Sequence, residues 1–224
     1  LAEQLRQADR LATIGQLAAG IVHEINEPLG SILGFAQLAR KAQGLAGKVG
    51  EDLDKIILAA LHAREIVRKL MLFARQSPPV RSSVKMNEVV EGCLALLTTQ
   101  FTQHRVEVIR DLDPAPGTIF GDVVQLHQVV VNLCVNAIQA MPRGGTMTVR
   151  TRAEADALLL VIEDTGAGMP PDVAERVFQP FFTTKSPEEG TGLGLSVVHG
   201  IVLSHGGAIR FDTKPGAGTR FEVR

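Results

Sequence analysis

Cysteine is nearly absent: only Cys93 and Cys134 occur in 224 residues, both inside apolar stretches and without CxxC spacing. That excludes a disulfide framework and a cysteine zinc site, and it suits a reducing, cytoplasmic setting. An excess of charge is lacking too. Lys and Arg number 23 against 24 Asp and Glu, for a net charge of -1, and residues 1–76 carry 10 basic against 8 acidic side chains. No polyanion-binding face emerges, so nucleic acid is not expected as a partner. Long apolar runs are missing: no stretch approaches the roughly 18 residues of a membrane span, and no signal-peptide pattern opens the chain. No membrane contact is therefore expected from this stretch of sequence. Internal repeats and low-complexity tracts are absent as well. The first residue is Leu1 rather than Met, so further sequence upstream is expected.

What is present has the balance of a globular chain, with 45% hydrophobic and 21% charged residues in 24.0 kDa, enough for one large or two modest domains. Residues 1 to about 43 space Leu11, Ile14, Ala18, Ile21, Ile25, Leu29, Ile32, Phe35 and Ala39 at alternating steps of three and four, an amphipathic helical stripe. Gly44, Gly47 and Gly50 interrupt it, and Leu53, Ile56, Ile57, Ala60, Ala63, Val67, Leu70, Met71 and Ala74 repeat the pattern. Two such helices joined by a short loop form an antiparallel hairpin, which buries too little alone. A homodimer sharing a four-helix bundle is the expected solution; packing of the hairpin onto its own chain is the alternative. Ser77-Pro78-Pro79 ends the second helix, so the boundary falls between a hairpin domain, 1–77, and a second domain, 78–224. Beyond it the pattern predicts helices near 87–102, 122–141 and after Leu193. Strands are predicted at 106–110, 146–152, 158–163, 208–213 and 219–223. This is an α+β two-layer sandwich with helices on one sheet.

Several places carry polar groups that such elements do not need. His23 falls between the stripe positions Ile21 and Ile25, on the flank or outward face of the first helix, with Glu24 beside it. Alone it reads as an ordinary surface histidine. Pro28 removes the N–H that would bond the Glu24 carbonyl and loosens the helix one turn past His23. Asn132 and Asn136 sit one turn apart on an otherwise apolar helix, so both amides share a face. Two neutral oxygen ligands suit a Mg²⁺ already shared with phosphates, although amides satisfied by water are the plainer reading of the pair in isolation. Asp164, followed by Thr165-Gly166-Ala167-Gly168, closes the apolar run 158–162 and puts a carboxylate at a strand end, able to accept from an exocyclic amine. Gly190-Thr191-Gly192-Leu193-Gly194-Leu195-Ser196 then opens a helix, offering backbone N–H groups and a dipole terminus to phosphate oxygens. It is not a Walker A loop, since no Lys-Ser/Thr follows the last glycine, and no strand immediately precedes it as a Rossmann turn requires. Between these lies Val177 to Lys185, aromatic and then polar, which reads as a mobile flap; Lys185 is either a reach to a terminal phosphate or a solvated loop lysine.

Taken in order, these segments closely resemble the catalytic half of a two-component sensor histidine kinase over essentially the whole chain. His23-Glu24-Ile25-Asn26-Glu27-Pro28-Leu29 resembles the phosphoacceptor H box, and Leu126 to Met141 the N box. Asp164 to Gly168 resembles the first glycine box, Val177 to Lys185 the F box, and Gly190 to Leu195 the second glycine box. Gly216-Ala217-Gly218-Thr219-Arg220-Phe221 is similar to the family's closing turn and final strand.

The resemblance implies a Bergerat-type (GHKL) ATP-binding fold behind a dimerisation and histidine-phosphotransfer hairpin, with ATP and Mg²⁺ as its small molecules. By the same resemblance Asp164 receives the adenine amine, Asn136 the Mg²⁺, and Asn132 supports the phosphate and metal network. Gly190, Gly192 and Gly194 line the triphosphate, and Gly166, Gly168, Lys185, Thr191, Leu193, Leu195 and Thr219 complete the ATP-binding set. His23 is then the nucleophile and Glu24 the carboxylate that orients it and takes its proton, consistent with phosphoryl-transfer chemistry. The implied activity is autophosphorylation of His23 and transfer to an aspartate of a response regulator receiver domain. By the same resemblance the fragment would be cytoplasmic, within a larger sensor open to membrane anchoring. Related chaperone, topoisomerase and mismatch-repair ATPases place a glutamate where Asn132 stands, so transfer rather than hydrolysis is implied. A nucleotide-binding dimeric scaffold without kinase activity, and a Bergerat-fold ATPase, are the competing readings. Glu27 departs from the Thr, Asn or Gln of many relatives; an ionised carboxylate donates no hydrogen bond and repels a phosphoryl group, which implies weak phosphatase activity toward the partner.

Overall fold

A computed structural model of the chain describes residues 25, 28–40, 48–74, 80–185 and 192–224. His23, Glu24, Glu27, Gly190 and Thr191 lie outside the described residues.

The first unit contains two helices, α1 (residues 28–40) and α2 (Lys48–Ala74). Their apolar side chains divide between two faces. Leu33, Ala36 and Ala60 are buried, whereas Ile32, Phe35 and Leu38 on α1 and Val49, Ile56, Leu58 and Leu61 on α2 are exposed. Of the predicted stripe positions, Ile32, Phe35 (73% exposed) and Ile56 are exposed and Ala60 is buried, while the buried Leu33 and Ala36 lie outside the predicted stripe. Arg40 Nε reaches Asp54 Oδ1 at 2.9 Å, joining the end of α1 to the second turn of α2 as a hairpin requires. Both partners are half exposed, so this pair adds little to stability. Gly50, predicted to lie in the loop, is buried in the first turn of α2.

The second unit is a helix-on-sheet sandwich. Its order is β1 (Arg81–Val84), α3 (Met86–Leu96), α4 (Thr98–His104), β2 (Val106–Leu112), β3 (Ile119–Asp122), α5 (Val123–Ala140), β4 (Gly145–Ala153) and β5 (Leu158–Asp164). Then come α6 (Pro171–Ala174), α7 (Gly194–Ser204), β6 (Ile209–Lys214) and β7 (Gly218–Val223). Five strands form a mixed sheet in the order β2-β4-β5-β7-β6, with only β2 and β4 parallel. Strand β4 follows the period of two: Met147, Val149 and Thr151 are buried and face the helices, while Arg150 and Arg152 point the other way. Those arginines pair with Glu163 and Asp111 across the open face. The helical layer closes over the sheet with Val90, Cys93 and Leu94 of α3, Val129, Val130, Leu133 and Ile138 of α5, and Val198 of α7, all at most 1% exposed. Each such side chain contributes on the order of 1.5 to 3 kcal/mol by leaving water.

Two features depart from the sequence pattern. The single helix expected near 87–102 is two, because Leu97 takes φ -92° and ψ 1° while the Thr98 hydroxyl donates to the carbonyls of Leu94 and Ala95. That hydroxyl competes with the backbone N–H groups that would continue the helix. Strands β1 and β3 were not anticipated; they pair antiparallel as a separate two-stranded sheet, Arg81 opposite Asp122 and Val84 opposite Ile119. At mean hydropathy 1.3, α5 is apolar and long enough to cross a membrane by composition, contrary to the expectation of no such stretch, but here it is the central core helix.

Candidate active site

Helix α5 begins where the Asp122 carboxylate accepts from the N–H groups of Val124 and Gln125 at 2.9 and 3.0 Å. That cap fixes the rotation of the helix, with Leu126, Val129, Val130, Leu133 and Ala137 buried in the core. The adjoining face carries positions 132, 136 and 140, one turn apart each. At its first position the Asn132 amide donates to the Gly194 carbonyl oxygen at 3.3 Å. At its second, Asn136 Nδ2 would lie 3.9 Å from a Cβ placed on Gly194. This Nδ2 is buried and has no hydrogen-bond partner, an unspent donor at the mouth of α7. At the third, the Ala140 carbonyl accepts from Ala167 N at 2.9 Å, and a Cβ on Gly166 would sit 2.6 Å from the same oxygen. Gly166 is glycine because the end of α5 leaves no room for more.

One helix face therefore joins the start of α7 to the end of β5. Eight residues at 1.5 Å each separate its ends, about 12 Å.

At the β5 end, Asp164 is 5% exposed and its Oδ1 accepts from Gly166 N at 2.8 Å and Thr219 N at 3.3 Å. Burial pushes its carboxyl above the usual carboxylate range, against the two N–H bonds that favour the ion. The buried Thr219 closes one side through its hydroxyl, 3.0 Å from that of Thr213, which also accepts from Met169 N at 2.9 Å beside Gly168. The Gly216 N–H donates to the Ala167 carbonyl at 2.7 Å, tying the closing turn to the first glycine stretch.

At the α7 end, Leu193 is buried, Gly194 starts the helix, Leu195 is half-buried, and the Ser196 hydroxyl donates to the Leu193 carbonyl at 2.9 Å. The free N–H groups of this first turn and the helix dipole favour an anion. Gly192 has φ +65°, and a Cβ there would come within 2.7 Å of Phe181 Cα. Phe181 N donates to the Gly192 carbonyl at 2.9 Å, so the two ends of the polar stretch are fastened together. Phe178 stacks on His199 of α7 at 5.0 Å and meets Phe211 edge-on at 5.6 Å. Lys185, half-buried, falls just past the first segment of this unit.

The structure thus gathers Asn132, Asn136, Asp164, Gly166, Gly168, Gly192, Leu193, Gly194, Leu195 and Thr219, while His23, Glu24, Gly190 and Thr191 stand outside the described residues. Sequence reasoning missed Thr213 and Ala140. Thr213 was detectable as a polar residue in register with Ile209 and Phe211 on the core side of β6; Ala140 acts through its carbonyl and leaves no side-chain signal.

As to a metal, no group of three or more His, Cys, Asp or Glu side chains that could cage one exists among the described residues. The donors present are neutral amides, one with an unspent buried atom. They fit an ion held mainly by phosphate oxygens and water.

Two family models match the chain. One, the histidine kinase-, DNA gyrase B- and HSP90-like ATPase, covers residues 121–224, and the other, the His Kinase A (phospho-acceptor) domain, covers 13–79. Sensor kinase CckA of Brucella abortus (strain 2308) is 36% identical over 241 residues, an alignment covering 100% of this chain and 25% of that protein. Among solved structures, the mycobacterial sensor histidine kinase MprB is 32% identical, with TM-score 0.56 over 64% of this chain and 95% of that one. Full-length ShkA in complex with AMPPNP shares the fold at 24% identity, with TM-score 0.74 over 92% of this chain and 44% of that one. The chain spans between 25% and 48% of the curated relatives' lengths.

Proposed function

We propose, starting from a chain that belongs to the two-component sensor histidine kinases, that it transfers the γ-phosphoryl group of ATP to His23 and then to an aspartate of a response regulator. The observation that carries this reading is the α5 face. It connects an anion-favouring helix start at Gly194 with a buried carboxylate at Asp164, so that one surface offers partners to both the phosphates and the base of a nucleoside triphosphate. Asp164 Oδ1 is engaged by backbone N–H groups, and its other oxygen accepts the adenine amine. Gly166 and Gly168 let the backbone approach the base, with Thr219 alongside. The N–H groups around Gly190 to Leu195 hold the phosphates, helped by Lys185. Asn136 would hold Mg²⁺, with Asn132 supporting it; the ion, when bound, neutralises charge on the phosphate oxygens.

In the transfer step the His23 Nε2 lone pair forms the N–P bond as the bond to the ADP oxygen breaks, and Glu24 orients the ring and takes the imidazole proton. The domains divide at Ser77 and Pro78, and the exposed apolar residues of α1 and α2 meet a second copy in a four-helix bundle. The fragment works in the cytoplasm, as part of a longer sensor. Phosphatase activity toward the regulator is weak because Glu27 supplies a charge where a hydrogen-bond donor is needed.

The test is incorporation of γ-labelled phosphate from Mg-ATP into this chain and into His23→Gln. Label that needs His23 and is lost in acid supports the kinase. Nucleotide binding without label would leave only a nucleotide-responsive scaffold, and steady phosphate release surviving His23→Gln would mean an ATPase.

A further inference from the structure

The last turn of α7 meets the start of α5 through one imidazole. The Asp122 backbone N–H donates to His205 Nε2 at 3.0 Å, and His205 Nδ1 lies 2.9 Å from the Ile201 carbonyl oxygen, to which it donates. With a donor facing Nε2 and an acceptor facing Nδ1, these partners assign the ring N–H to Nδ1. The backbone is shaped around it: a Cβ at Gly121 would approach the ring's Cδ2 to 2.9 Å. On the other side of the same junction, Asp122 caps α5 and accepts the Val80 N–H at 2.9 Å, and the Arg81 guanidinium donates to the Ser204 carbonyl. Here α5 begins and α7 ends. At the start of α7, past the middle of α5, Asn132 and Asn136 lie against Gly194.

We propose that His205 is a positioning residue for nucleotide binding, whose two hydrogen bonds fix the register of α7 along α5 and thereby the placement of Gly194 against Asn132 and Asn136. This rests on the nucleotide reading of the site. His205 acts only through the two helices. Helices transmit such a constraint because each is a rigid rod, whereas the contact at the far end is a single 3.3 Å hydrogen bond and one unpartnered donor. On α7 itself the ring's other neighbour is the Ser204 hydroxyl, 3.4 Å from Nδ1.

The experiment is calorimetric binding of Mg-ADP to the full 224-residue chain. His205→Gln offers one acceptor and one donor, and it should bind within about twofold of wild type. His205→Leu fills space without hydrogen bonds and should weaken binding about three- to tenfold, the scale of such indirect couplings. Gly121→Ala, whose Cβ would meet the ring Cδ2 at 2.9 Å, displaces the imidazole without touching the site and should weaken binding by a similar factor. Tight binding by His205→Leu, or a loss by His205→Gln as large as that of His205→Leu, overturns the proposal. If the Leu variant does not fold, Gly121→Ala decides, and wild-type affinity there overturns the proposal. Failure of wild type to bind Mg-ADP at all would instead sink the nucleotide reading, and this inference with it.

Discussion

Replacing Asp164 by Asn tests the base-recognition end of the site while changing almost nothing else. Oδ1 is committed to Gly166 N–H and Thr219 N–H. In the variant the amide carbonyl must keep those two donors, because turning it over would set an NH₂ group against two N–H groups. The NH₂ then takes the ligand-facing position and meets the adenine amine donor to donor. A hydrogen bond to a charged group contributes about 1.5 to 3 kcal/mol, so ATP affinity should fall about 10- to 150-fold. The same NH₂ can donate to a 6-oxo purine, so inosine triphosphate should lose less and overtake ATP in competition binding. Stability moves the other way. The folded carboxyl is raised by burial, so its ionisation costs stability above that raised value, and the cost vanishes at low pH where the folded and unfolded forms are both protonated. The nucleotide-free Asn variant should therefore melt no lower than wild type near pH 7, with any advantage shrinking as pH falls. ATP binding within threefold of wild type, or equal losses for ATP and inosine triphosphate, would refute the reasoning.

Asn136→Ala removes a buried donor that satisfies nothing without ligand, so melting temperature should shift by only a few degrees while label incorporation falls at least about 100-fold; a matched loss of both would make Asn136 structural. Glu27→Asn should speed removal of phosphate from the phosphorylated receiver domain, measured as phosphate release; a rate no faster than wild type would dismiss the assigned role of that carboxylate. Phe35→Glu puts a charge on an exposed apolar helix face and should convert a dimer to a monomer in sedimentation equilibrium, leaving the catalytic unit folded; an unchanged dimer would move the interface elsewhere.

What the sequence disclosed and what it hid follow from where the information sits. Helix α5 was readable to within a residue because its signals are side chains: a long apolar pattern and two amides out of place on it. Strands β4 and β5 were readable because one face is buried, which forces alternation or a continuous apolar run. Strands β1 and β3 were not, since four residues with burial patterns of one position in four carry no period. Yet that small sheet brings Val80 and Arg81 to the ends of the helices bearing the site. The break at Leu97 depended on a threonine hydroxyl turning back to two carbonyls, a choice that helix periodicity does not encode. Half of the candidate site is likewise backbone: the carbonyls of Ala140 and Gly194 and the N–H groups of Ala167 and Thr219. Glycines mark such places, at 166 and 194, by what they leave out, so a sequence shows that something must approach there without naming it. His205 lies at the limit of this legibility. Its ring fills the space left at Gly121, 84 positions earlier in the chain, and only the fold brings the two together.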